Sequence, residues 1–110
     1  VKSLAQLGNA AKVAIPDLVG SLRDIDGDVR RAALNALKVL GYTPKDTELA
    51  DMYALDLLET DEYVRLKAAR NLGKLGPKAI SALPALQAAT EDPDLDVRRA
   101  VVDAIQRIDP

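Results

Sequence analysis

Three alternating aspartates stand directly before two arginines in the stretch DIDGDVRRA, Asp24–Ala32, and the pattern returns as DPDLDVRRA, Asp92–Ala100. Carboxylates at every second position can bind a cation, and paired arginines can bind phosphate. A calcium loop of the EF-hand type needs a glycine at its sixth position and a bidentate acid at its twelfth. Counted from Asp24, those positions hold Val29 and Asn35. The motif therefore predicts no metal site.

The residue types behind most catalytic and metal-binding chemistry are absent from the 110-residue sequence. It contains no histidine and no cysteine, which removes the commonest general base, the thiolate nucleophile and the usual zinc ligands. No glycine-rich phosphate loop occurs either. We therefore expect no catalytic, cofactor-binding or metal-binding residues, and we expect that the protein is not an enzyme. The net charge of −2 argues neither for nor against an anionic partner.

The sequence repeats internally, which is the signature of solenoid and array architectures. A shift of 68 residues aligns 4–42 with 72–110 without a gap, and a middle copy lies between them. The anchor valines of the three copies, Val29, Val64 and Val97, are 35 and 33 residues apart. We interpret the chain as a single repeat domain, 1–110, excerpted from a longer protein. Its parts are a half repeat and three repeats: 1–10, 11–42, 43–76 and 77–110.

Each repeat is predicted to form two helices, here called the A helix and the B helix. The B helices carry apolar residues at spacings of three and four, the helical period. Their predicted ranges are 29–40, 64–75 and 97–108, and those of the A helices are 13–23, 46–59 and 80–90. The anchor valines are expected in the core. An aspartate that could cap each B helix lies three residues before its anchor valine: Asp26, Asp61 and Asp94.

Two of the repeats share a longer pattern: a proline in helix A, an aspartate eight residues later, and Val-Arg thirteen and fourteen residues after the proline. The residues are Pro16, Asp24, Val29, Arg30 and Pro84, Asp92, Val97, Arg98. This pattern resembles the HEAT family, particularly the short HEAT-like repeats similar to those of bilin (phycocyanobilin) lyase-type proteins. The middle copy departs from it, with Asp51 at the proline position and Glu59 at the aspartate position. The resemblance implies an all-α fold, an α-α superhelix (solenoid) of about three helical hairpins.

The resemblance also implies a role for the aspartates and arginines of the motif. In HEAT-like arrays, an acid and an arginine of this kind bond across neighbouring repeats and form a ladder. The sequence supplies both in every repeat. The expected ladder residues are Asp24, Arg30, Glu59, Arg65, Asp92 and Arg98.

The basic residues, ladder arginines included, concentrate in the B helices, which the resemblance places on the concave, partner-binding face. Over the predicted ranges these helices hold ten of the fifteen basic residues and a single acid, Asp103. A solvated helix face would show the same pattern. The candidate partner-binding residues are Arg31, Asn35, Lys38, Lys67, Arg70, Lys74, Arg99, Gln106 and Arg107.

The leading hypothesis is a non-catalytic protein–protein interaction scaffold that binds a partner on the basic face of its B helices. The expected partner is another protein, or another domain of the parent chain, with an acidic surface. The alternatives are a nucleic-acid-binding HEAT-like module, which the shortage of aromatic residues disfavours, and an accessory domain of a bilin lyase-like enzyme. End-to-end self-association is a further option, through a terminal face such as that of Leu4 and Leu7. No apolar run is long enough to cross a membrane, and a cytoplasmic location is expected.

Overall fold

Each copy of the repeated motif starts a B helix in the computed structural model, which describes residues 14–110. These helices are α2 (Gly27–Val39), α4 (Glu62–Leu75) and α6 (Leu95–Ile108). The first backbone N–H groups of a helix lack partners within the helix, and a carboxylate just before it can accept from them. Asp26, Asp61 and Asp94 do so, accepting from the N–H groups of residues 28, 63 and 97. The three predicted N-caps are confirmed.

The B helices begin two residues earlier than predicted, and this changes their charge. Asp28, Glu62 and Asp96 lie in the first turns, where the positive end of the helix dipole favours a carboxylate. The observed B helices therefore contain four acids, Asp28, Glu62, Asp96 and Asp103, whereas the shorter predicted ranges contain Asp103 alone. The expectation of buried anchor valines also fails in part, because Val97 is fully buried whereas Val29 is 38% exposed.

The chain divides into two compact units, Val1–Pro44 and Lys45–Pro110. In the described part of the first unit, helix α1 covers 14–21 and leads through a short turn into α2. Gly41, with a positive φ of 79°, follows the end of α2 in a conformation that glycine adopts without strain. The first A helix was predicted for 13–23 but ends at residue 21. The half repeat 1–10, with Leu4 and Leu7, lies outside the described residues.

The second unit stacks two helical hairpins. Helix α3 (Asp46–Asp56) pairs with α4, and α5 (Leu83–Ala88) pairs with α6. Helix α4 packs against α6, while α3 packs against the 3₁₀ helix Gly76–Ala82 that precedes α5. The two B helices of this unit thus pack against each other, and so do the two A-helix segments. This is the packing of an all-α solenoid.

Small residues allow the B helices of this unit to approach closely. A Cβ atom built on Gly73 of α4 would lie 3.4 Å from the Cα atom of Ala104 on α6. Alanines also fill much of the core, together with leucine, valine and isoleucine side chains from both hairpins. Because alanine takes little space, the helix axes come near each other while the larger side chains close the remaining gaps.

The A helices of this unit are shorter than predicted. The stretch expected to be one helix over 80–90 contains α5 and two flanking 3₁₀ helices, Gly76–Ala82 and Ala89–Glu91. Pro84 explains the start of α5, because a proline lacks the N–H group and collides with the preceding turn unless it lies at the start of a helix. Helix α3 ends at Asp56 because the next residues form tighter bonds of the i to i−3 type. Within 14–110 no helix has the length and apolar character needed to cross a membrane.

Candidate protein-binding surface

An arginine of the middle repeat and an acid of the last repeat meet in the second unit. Arg65 of α4 donates from Nε to Oδ2 of Asp92 at 2.8 Å and from Nη2 to Oδ1 at 3.2 Å. The two side chains are only 12% and 6% exposed. The Nη1 group of Arg65 donates to the backbone oxygens of Glu59 and Thr60, both at 2.8 Å. Arg65 therefore binds the backbone of the loop between the two helices of its own repeat. It also binds the next repeat through two parallel charged hydrogen bonds.

This contact keeps both partners ionised. Burial opposes the ionisation of Asp92, but hydrogen bonds from Arg65 and from the backbone N–H of Asp94 outweigh it and hold the pKa of Asp92 below its ordinary value. The hydrogen bond to Asp92 also raises the pKa of Arg65, against the opposing effect of burial. A carboxylate that is held ionised and bound in this way serves to join two repeats. It is not suited to proton transfer near neutral pH.

Arg30 and Arg98, the arginines of the other two repeats that were predicted to belong to the ladder, make the same loop contact. The Nη1 group of Arg30 donates to the backbone oxygens of Asp24 at 2.8 Å and Ile25 at 3.0 Å. The Nη1 group of Arg98 donates to the backbone oxygens of residues 92 and 93 at 2.8 and 3.1 Å. Each of these arginines thus bonds the chain that connects the two helices of its own repeat.

One exposed row of α4 carries basic residues without an acid among them. Tyr63, Lys67, Arg70 and Lys74 follow one another at spacings of four and three residues, which aligns them along one face of the helix. The Nζ atom of Lys67 lies 5.7 Å from the centroid of the Tyr63 ring, within the range of a cation–π contact. The opposite face of α4, which includes the fully buried Leu72, packs against α6. We call these four exposed residues the α4 row.

The exposed face of α6 has mixed charge instead. Arg99, Gln106 and Arg107 are exposed as expected for partner-binding residues, but Asp96 and Asp103 lie on the same face of the helix. The Oδ2 atom of Asp103 forms an ion pair with Nε of Arg107 at 2.8 Å. Two arginines are therefore offset by two acids, and this part of the predicted basic layer is close to neutral.

In the first unit, the candidate residues of α2 are exposed as well. Arg31 pairs with Asp28 one turn earlier, while Asn35 and Lys38 point into solvent. Lys38 lies in the last turn of α2, where the negative end of the helix dipole favours a base. All nine predicted partner-binding residues are thus at the surface, and in the second unit the α4 row contains three bases and no acid.

Comparison with known proteins bears on the fold rather than on this surface. The family model for HEAT repeats matches residues 53–110, slightly more than half of the chain. The chain belongs to the HEAT-repeat family. No curated protein and no solved structure gives a significant match. HEAT repeats are generally non-catalytic scaffolds and commonly mediate protein binding, and this family match does not single out the bilin lyase type.

The HEAT-repeat surface contains one residue that the charge pattern alone did not indicate. Tyr63 is 62% exposed and lies at the start of the α4 row, against Lys67. Its position four residues before Lys67 was the available signal, but the predicted helix began one residue after Tyr63, at residue 64. Among residues 14–110, no group of three or more acidic side chains is placed to hold a metal ion.

Proposed function

We propose that this chain is a non-catalytic HEAT-repeat module that binds an acidic segment of another protein along the α4 row. The observation that carries the proposal is the composition of the row: three exposed bases and a tyrosine, with no acid among them. A surface that was merely solvated would be expected to mix charges, as the exposed face of α6 does. The α4 row therefore forms the core of the proposed site, and the exposed bases of α6, in the same unit, belong to its periphery.

The physical basis is electrostatic complementarity, supplemented by one aromatic contact. Lys67, Arg70 and Lys74 lie within two helical turns, so their positive charges repel one another in the unbound protein. An acidic partner would relieve that repulsion and would be steered towards the row before contact. Tyr63 adds apolar area at one end, and tyrosine is enriched in protein-binding surfaces because its ring packs while its hydroxyl group stays hydrated.

The test compares charge reversal inside and outside the row. Wild-type protein, the variant Lys67→Glu with Arg70→Glu, and the control Lys45→Glu with Lys78→Glu are immobilised and exposed to extract of the cells that make the protein. Both variants change the net charge equally, and Lys45 and Lys78 lie outside the B helices. We expect wild type and control to retain a partner with an acidic segment, while the row variant retains at least about tenfold less of it.

Two results would count against the proposal. The first is equal capture of the same proteins by the row variant and wild type. The second is a captured partner that resists an increase in ionic strength, because screening should weaken contacts between exposed charges. A third result would instead favour the nucleic-acid alternative: the wild type binds duplex DNA at low salt, and the row variant does not. Neither that alternative nor the bilin lyase alternative gains an observation of its own from residues 14–110.

A further inference from the structure

A cleft lies between the connections that join the two helices of the middle repeat and of the last repeat. Arg65 holds these connections together, because it binds the backbone oxygens of residues 59 and 60 in one and the side chain of Asp92 in the other. The cleft has a volume of about 260 Å³. Both connections run between described helices of the second unit, α3 and α4 in one case and α5 and α6 in the other. We call this feature the loop cleft.

The lining of the loop cleft is mainly aliphatic. Leu57 and Leu58 line it from the middle repeat, and the lining from the last repeat includes Ala88, Ala89, Glu91 and Pro93. Pockets that take whole small molecules have volumes of about 300–1,000 Å³ and bury most of the ligand. The loop cleft is smaller than these, so its size suits a single inserted side chain.

Leu58 is exposed at this cleft although the repeat fold does not require a leucine there. Its side chain is 76% exposed, whereas that of the preceding Leu57 is 5% exposed. The equivalent positions of the first and last repeats, six residues before the anchor valines, hold Arg23 and Glu91, and both are exposed. An exposed charge therefore satisfies the fold at this position. Covering Leu58 with another apolar side chain would remove apolar surface from water, which is favourable.

The two connections surround the cleft with negative charge. Segments 56–62 and 91–96 each contain four acids and no base. Arg65 and Arg98 bind the backbone of these connections and offset two of the eight charges. Glu91 lines the cleft and is exposed. The other exposed acids of the two segments are Asp61, Glu62 and Asp96. Cations are attracted to such a surface, and an apolar cleft within it selects a ligand that is both basic and apolar.

We propose that the loop cleft binds a basic segment of another protein and takes one aliphatic side chain of that segment, about the size of leucine. In this contact the inserted side chain packs against Leu58 and Ala88. Lysines or arginines on either side of it lie against Glu91 and the neighbouring acids. The partner of the loop cleft thus has the opposite charge to the acidic segment proposed for the α4 row, and the proposal does not depend on that row.

NMR titration of the ¹⁵N-labelled whole chain tests the site with synthetic peptides. The probe peptide carries one leucine with lysines and arginines on both sides. One control peptide has serine in place of the leucine, and the other has glutamates in place of the bases. We expect the probe to shift the amide signals of Leu58, Ala88 and Glu91 and to bind at least about tenfold more tightly than either control peptide.

Two variants change the exposed side chains of the cleft. The dissociation constant for the probe should rise about tenfold in Leu58→Ser, because an apolar contact is lost. It should rise about threefold in Glu91→Gln, because one of several exposed charges is lost. The matched controls are Ile80→Ser, at a residue 54% exposed and outside the cleft, and Asp103→Asn, on the exposed face of α6. Both controls should bind the probe as the wild type does.

Three results would overturn the proposal. The first is an absence of shifts at the loop cleft with the probe at millimolar concentration. The second is equal affinity for the leucine and serine peptides, which would show only a general attraction of cations to the acidic connections. The third is a shift of the cleft signals with protein concentration and no peptide, which would assign the cleft to a second copy of the chain. The capture experiment on the α4 row can fail without altering any of these results, because it changes other residues.

Discussion

The contact between Arg65 and Asp92 gives a sharp prediction, because the chain contains its own control. Asp92→Ala removes two charged hydrogen bonds from a guanidinium that is 12% exposed, together with the bond from the N–H of Asp94. Removal of one partner of a buried ion pair costs about 3–5 kcal/mol. Arg65 keeps the backbone oxygens of Glu59 and Thr60, so we take the lower end, about 3 kcal/mol. The melting temperature should fall by about 15 °C.

The matched variant is Asp24→Ala, which makes the same chemical change at the equivalent position of the first repeat. Asp24 is exposed and loses one hydrogen bond from a backbone N–H, a cost of about 0.5–1 kcal/mol and about 5 °C in melting temperature. Circular dichroism melts in dilute solution measure both variants. Equal decreases for Asp24→Ala and Asp92→Ala, or a decrease below about 5 °C for Asp92→Ala, would refute the reasoning.

Two further predictions concern pH and packing. Because the pKa of Asp92 lies below its ordinary value, its stabilising effect is complete above the ordinary carboxylate pKa of about 4 and is lost as the pH falls through the lower, folded-state value. The difference in melting temperature between wild type and Asp92→Asn should therefore be largest at neutral pH and shrink at about pH 3, and an unchanged difference would contradict the shift. Gly73→Ala should raise stability by about 0.5–1 kcal/mol, because its Cβ would lie 3.4 Å or more from Ala104 and alanine favours the helix. Gly73→Val should lower stability by about 1–3 kcal/mol by forcing α4 and α6 apart, and denaturant titration of both variants measures these opposite effects.

The N-cap residues of the B helices could be predicted from the sequence because their causes are local. Asp26, Asp61 and Asp94 each precede an apolar stripe at a fixed distance, and a capping carboxylate needs only the backbone of the next few residues. The interruption around α5 was not predicted, since Pro84 was placed within a single helix over 80–90. The sequence alone did not show where the chain before it would leave the α conformation, as it does at Ala79.

The charge of the candidate surface was harder to predict from the sequence than the N-cap residues were. Ten bases in three B helices suggested a continuous basic layer, but Asp28 and Asp96, the first-turn carboxylates of α2 and α6, lie within one turn of Arg31 and Arg99. Those acids offset the bases of α2 and α6, and the α4 row keeps its positive charge. The sequence places an acid and an arginine in every repeat, but it does not show which acid binds which arginine. The structure shows that Arg65 binds Asp92 of the following repeat.

Site-specific photo-cross-linking tests the central claim, binding along the α4 row, most directly. A photoreactive phenylalanine analogue replaces Tyr63 in one sample and Ile80, which is 54% exposed and lies outside the B helices, in another. Both proteins are irradiated in extract of the cells that make the chain. We expect position 63 to cross-link an acidic segment of one partner, with the yield reduced by added polyglutamate and by Lys67→Glu with Arg70→Glu. Cross-linking of the same partner from position 80 with equal yield, or no dependence on the two bases, would contradict the claim.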